Sequence, residues 1–218
     1  MPNWVDNVMI IKAKPKTLAE LRSKIKTDAR DEQYVNIATS LYPMPQDIRY
    51  VVGSDKDNLQ YCKVQNKVVL PPSDLEIMAR QSGHDIYIGK SKEFAQTQFE
   101  LVPLTDGEKR MLMDEHGATN WYDWNILNYG SKWPDCYTHA QTVQNGNLLF
   151  QFESAWAPLV KLAQRISEDY KCKVVLKYSS IENADKGEVR YNNGTLYFDK
   201  WEMWDYMGVL EEEWEYHI

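Results

Sequence analysis

Few residues in this chain are spaced for chemistry. Cys136 and His139 form a Cys-x-x-His pair, which is half of a zinc site; a structural zinc needs four ligands, usually as two close pairs. The remaining candidates, Cys62, Cys172, His84 and His116, are single and scattered, so no metal site is expected. As thiol nucleophile and base, Cys136 and His139 lack any local signature. His84 would have to be oriented by its neighbour Asp85, and adjacent side chains rarely point at one another. Glu153, beside Ala155-Trp156, suits a general acid or base if partly buried, or a solvated charge at a strand end. His116 follows Asp114 and Glu115 at an expected helix C-terminus, where the helix dipole favours a protonated imidazole. No P-loop, dinucleotide-binding glycine fingerprint, HExxH motif or nucleophile elbow occurs. No catalytic residue is therefore assigned, no cofactor is expected, and the reading leans away from an enzyme.

Two aromatic clusters remain. The first is "GATNWYDWNILNYGSKWPD", Gly117 to Asp135, which matches neither a helical nor a strand period well. Trp121, Tyr122, Trp124 and Trp133 could stack on a ligand's rings or on bases, at about 1–3 kcal/mol per stacked base, with Lys132 meeting a phosphate. The same rings could instead pin a long crossover onto a sheet while the asparagines satisfy turn backbone. That structural clasp is the favoured reading, because Trp and Tyr combine large buried area with a polar handle. The second cluster is the tail. Trp201, Trp204, Met207 and Leu210 recur close to one helical face, and Glu211, Glu212, Glu213 and Trp214 follow. Large aromatic anchors among acids are the residue types of interface hot spots. These residues are candidates for partner binding, or for a terminal helix packed back on its own domain. Interfacial membrane helices usually carry basic polar faces, so a membrane role is not expected.

The elements must place these clusters. At 218 residues, with 43% hydrophobic and 26% charged residues, the chain can bury a sizeable core as one elaborated domain or two small ones. Three separated cysteines fit a reducing cytoplasm better than a disulfide framework. The N-terminus lacks the basic and apolar regions of a signal peptide, and no apolar run approaches the roughly 20 residues of a membrane span. Of 32 acids against 25 lysines and arginines, seven acids and one base, Lys200, fall from Asp199 onward. The body is thus nearly neutral and the tail acidic, which disfavours nucleic acid.

Val8–Ala13 reads as a buried strand and Thr17 with Glu20 as a capping box opening a helix. "IATSLYPMPQDI" reads as an ordered loop. Short strands are expected at 49–52, 60–64 and 67–70, with a turn at Gln65-Asn66, and a short helix from Ser73 to Gln81. Thr105 and Glu108 form a second capping box, with a stop at Gly117. Leu148–Phe152 is strand-like, a helix follows Pro158, and Lys173–Tyr178 alternates as a strand. Glu188–Tyr191 and Thr195–Phe198 flank an Asn-Asn-Gly hairpin signal. Two β-α units meeting in one antiparallel sheet give an α+β, split βαβ architecture.

Several segments resemble the YubB-type ferredoxin-like family of phage and plasmid proteins: "MPNW" followed by Asn7 and an apolar strand, "LYPMPQDI", "NWYDWNILNYGSKWPDC" and "FQFESAWAPLVKLAQRISEDY". Val5 and Leu159 depart from its pattern, as does the stretch "SSIENADKGEV". The resemblance implies a ferredoxin-like antiparallel sheet over residues 1–198, with helices on one face and a middle insertion at about 49–104. Residues 199–218 would be an added acidic aromatic segment. No reaction travels with the family. The reading that follows is a non-enzymatic phage or mobile-element protein in the host bacterial cytoplasm. It would bind a host protein, a component of a bacterial defence system being one such target. A nucleotide- or RNA-binding ferredoxin-like module, and a small hydrolase using scattered His and acidic residues, are the alternatives.

Overall fold

The apolar run near the N-terminus forms β1, Trp4–Lys12. Val5, Met9 and Ile11 on one side of it are buried, as period-2 alternation requires. The computed structural model describes residues 2–28, 31–49, 51–53, 61–66, 99–142 and 146–203. Two compact units result, Met1–Pro43 with Asn128–Ile218, and Met44–Leu127.

In the first unit β1 leads into α1, Pro15–Lys24. This helix starts two residues before the expected cap at Thr17: Lys14 is the N-cap without a side-chain bond, and Pro15 supplies a pre-set φ in the first turn. Glu20, freed from a capping role, pairs with Lys24 at 2.8 Å. A small β2–β3 ladder follows, Lys26–Thr27 with Val35–Asn36, and then α2, Ala38–Leu41.

The second unit begins with α3, Gln46–Arg49, so the stretch read as a loop holds two short helices. It continues with a three-stranded sheet of β4 (Val51–Gly53), β5 (Tyr61–Asn66) and β6 (Phe99–Pro103). Gln65 and Asn66, expected in a turn, continue β5 and face Glu100 and Phe99. Local sequence cannot show a partner strand so distant. The expected strand at 67–70 and helix at 73–81 lie outside the described residues. Helices α4, Asp106–His116, and α5, Trp121–Asn128, follow. The unit therefore extends beyond the expected insertion at both ends. The Thr105–Glu108 capping box forms in full, and Gly117, with φ 71°, ends α4 in the left-handed conformation.

Back in the first unit come β7 (Cys136–Thr142), β8 (Leu148–Ala155), α6 (Val160–Asp169), β9 (Lys173–Ser180), β10 (Asp185–Asn192) and β11 (Thr195–Met203). The sheet order is β11-β10-β9-β1-β8-β7, with every neighbouring pair antiparallel. Strand β1 is inserted between β8 and β9, the two strands that α6 connects, which is the split βαβ arrangement. The chain folds as an α+β, ferredoxin-like domain extended by the β10–β11 hairpin. Asn193 and Gly194, both at positive φ, make the two-residue turn that the Asn-Asn-Gly signal predicts.

The core lies between the sheet and its helices, where Leu18, Leu21, Phe150, Leu162, Ile166, Val174 and Leu176 are buried. A polar network is set into it. Asn7 Nδ2 donates to Val5 O and Ser154 Oγ, both at 2.8 Å, and its Oδ1 accepts from Leu159 N at 3.4 Å. Ser154 Oγ donates onward to Ala157 O. This network satisfies the backbone where β8 turns into α6, a turn that also holds Trp156 at φ 72°.

Candidate functional site

The aromatic stretch from Gly117 to Asp135 is not uniform. Its first half forms α5, which its aromatic crowding had hidden. Asn120 Oδ1 accepts from Asp123 N at 2.9 Å, and Asn120 Nδ2 donates to Asp123 Oδ2 at 2.6 Å. The first bond is an N-cap contact; the second joins the two side chains and does not reach the Asn120 backbone N–H as a capping box would. Trp121, Trp124 and Asn125, at i, i+3 and i+4, are buried on one face, and Trp121 packs edge-on to Tyr122. With 9% and 6% exposure, the two tryptophans offer no face to a ligand; Tyr122 is exposed.

The second half clamps the end of the main sheet. Trp133 stacks on Trp4 of β1, with ring centroids 6.2 Å apart, and its carbonyl accepts from Ala155 N at 3.1 Å. Ser131 Oγ donates to Ala155 O at 2.6 Å. The buried Tyr129 donates its hydroxyl to Tyr42 O. Lys132 Nζ lies 4.4 Å from the Trp133 ring centroid, and burial holds its pKa below the usual lysine range. These contacts make the segment a clasp. Of the five residues considered for ligand stacking, Trp121 and Trp124 are core, and Trp133 and Lys132 are engaged with each other.

Beyond the clasp, the same end of the sheet is acidic. Asp6 of β1 stands directly opposite Glu153 of β8. Burial raises the pKa of both, and negative neighbours add to it: Glu182 for Asp6, and Asp6 and Glu182 for Glu153. Like charges in register destabilise a sheet, and three acids here repel phosphate. Asp6 is missed by sequence motifs, although an acid inside an apolar strand is a usable signal.

Cys136 and His139 lie on β7, with a register irregularity between them. His139 packs edge-on to Tyr34 at 4.9 Å. Among the described residues neither joins a group of three metal-ligating side chains. Cys172 is buried, which pushes its thiol up to about 11, so it is a poor nucleophile at neutral pH. His116 Nε2 lies 2.9 Å from Asp47 Oδ2, a pairing across 69 positions that no local motif reveals. His84 and Asp85 lie outside the described residues.

The tail begins differently from its helical spacing. Trp201 is not at the head of a helix: it sits in β11, which runs on to Met203. Pairing with β10 overrides the period here, with Trp201 facing Gly187 and Met203 facing Asp185. Gly187 is required there, since a Cβ would overlap the Tyr178 hydroxyl and crowd Lys200 O. Trp204, Met207, Leu210, Glu211, Glu212, Glu213 and Trp214 lie outside the described residues. Among those described, β11 is the outer strand of the sheet. Leu196, Tyr197, Trp201 and Met203 on it are exposed, Trp201 to 57%. Glu202 on it pairs with Lys200 and with Lys186 of β10, and on β10 Glu188 pairs with Arg190. No helix among the described residues is long and apolar enough to cross a membrane.

Comparison with known proteins gives a partial match. Residues 135–217 match a family described as the ferredoxin-like domain in Api92-like protein. A crystal structure of a protein Api92 from Yersinia pseudotuberculosis is similar over 92% of this chain and 98% of that one. Its sequence identity is 11% and its TM-score 0.48. No curated protein matches the chain.

Proposed function

We propose that this protein is a non-enzymatic binding module that docks a partner protein along β11. The observation that carries the reading is the edge itself. Nine residues, Thr195–Met203, form the outer strand among the described residues, and four large apolar side chains on it are exposed. Natural sheets shorten, charge or cover such edges because unpaired N–H and C=O groups template strand addition. An extended segment added here gains backbone hydrogen bonds from the edge and side-chain contacts from Trp201 and Tyr197. The acidic tail that follows favours a segment rich in lysine or arginine. The resemblance to phage and plasmid proteins points to a host bacterial protein as the partner, with a defence component as one such target. That narrower identity rests on the resemblance alone.

Pull-downs from bacterial lysate with three proteins test this: the full chain, a truncation after Met203, and the full chain carrying Trp201→Lys and Met203→Lys. We expect a specific partner with the full chain that is lost from the double variant. Retention by the truncation would place recognition on the strand, and loss would place it on the tail. The same partner captured equally by the double variant would refute docking along β11.

A further inference from the structure

The geometry points to a divalent transition-metal site formed by Asp47, Glu115 and His116 in the second unit. One ligand atom from each lies within 4.8 Å of the others. His116 Nε2 is 2.9 Å from Asp47 Oδ2 and 4.0 Å from Glu115 Oε2. In a tetrahedral shell, zinc bonds of about 2.0–2.2 Å place adjacent ligand atoms about 3.3–3.6 Å apart. The His116–Asp47 contact, a hydrogen bond at 2.9 Å, must open by about half an ångström and give up its shared proton to admit the ion. Glu115, 71% exposed, closes the remaining gap by a rotamer change at little cost.

The three groups are unequal in a way that suits a metal. His116 is only 13% exposed, so its imidazole is held in place, while both carboxylates reach into solvent and leave coordination positions for water. Asp47 Oδ1 accepts from Ile48 N at 3.0 Å, which leaves Oδ2 turned toward the imidazole. His116 is the last residue of α4, where the unsatisfied carbonyls of the final turn favour a cation. Among the described residues the ion-pair partner of both carboxylates is His116 itself, not a lysine or arginine. One imidazole with two carboxylates selects zinc or a neighbouring transition ion over calcium or magnesium, which prefer all-oxygen shells.

Calorimetric titration of the full chain with Zn²⁺ at neutral pH, repeated with Ca²⁺, tests the site. We expect saturable one-to-one Zn²⁺ binding, much weaker Ca²⁺ binding, and at least about a tenfold loss of Zn²⁺ affinity in His116→Gln and in Asp47→Asn, because even changes behind a ligand cost 10–100-fold. Glu115→Gln alters only an exposed group, so it keeps the fold and is expected to weaken binding as well. The site is refuted by absent Zn²⁺ saturation, by Zn²⁺ affinity unchanged across the three variants, or by Ca²⁺ binding as tightly as Zn²⁺.

Discussion

At the scale of single residues, the facing pair Asp6 and Glu153 makes a prediction with a definite sign. Burial raises both pKa values in the folded protein, and repulsion adds to it, from Glu182 at Asp6 and from Asp6 and Glu182 at Glu153. Each group therefore binds a proton more readily folded than unfolded, and protonation stabilises the fold. That contribution is fully present below the unfolded carboxylate pKa and is lost as pH rises through the elevated folded values. Asp6→Asn removes the repulsion at neutral pH. We expect it to stabilise the protein by about 0.2–1 kcal/mol, less at high salt because Asp6 is exposed, with the gain disappearing on acidification. Thermal melts of both proteins across that range check it. An Asp6→Asn protein no more stable than the parent at neutral pH would show that the repulsion is screened out. Asn7 next to it has the opposite character: its amide is buried and fully used, and such a group is costly to replace by an apolar one.

At the scale of elements, local signals work where a helix end is built from consecutive residues. Helix α4 has its expected cap at Thr105, reciprocated by Glu108, and its expected stop at Gly117. Thr105→Ala removes the bond to Glu108 N, and we expect a loss of about 1 kcal/mol. Thr105→Ser should restore most of it, and chemical denaturation of the three proteins distinguishes a lost cap from a lost methyl contact. In α1 and α5 the helix starts depart from the Ser/Thr-Glu signal for identifiable reasons. Pro15 opens α1 ahead of Thr17, and Asn120 caps α5 by accepting from Asp123 N, with a side-chain bond to Asp123 in place of the reciprocal backbone bond. The i, i+3, i+4 burial of Trp121, Trp124 and Asn125 was present in the sequence but obscured by Tyr122, which is exposed. Strand β7, by contrast, has a register irregularity at its start, and strict alternation fails there.

At the scale of the whole molecule, the last strand joins the fold to the proposed function. Cutting after Phe198 removes the partners of Asp185 through Val189, namely Met203 back to Asp199. We expect a truncation after Phe198 to melt below one after Met203 and to lose sheet signal in circular dichroism; coincident melts would mean that this half of β11 contributes nothing to stability. The sequence by itself determined the α+β class, the β-α-β closing order, the Asn-Gly hairpin and the α4 caps, because each depends on residues close along the chain. It also favoured a clasp over a stacking surface for the Trp-rich stretch, but not the helix α5 that its first half forms. Only the tertiary structure decided that Asp6 faces Glu153, that Trp201 belongs to an edge strand rather than a helix, and that Asp47 meets His116. Those facts depend on strand register and on contacts between distant segments, and a one-dimensional pattern does not encode which strand will lie beside which.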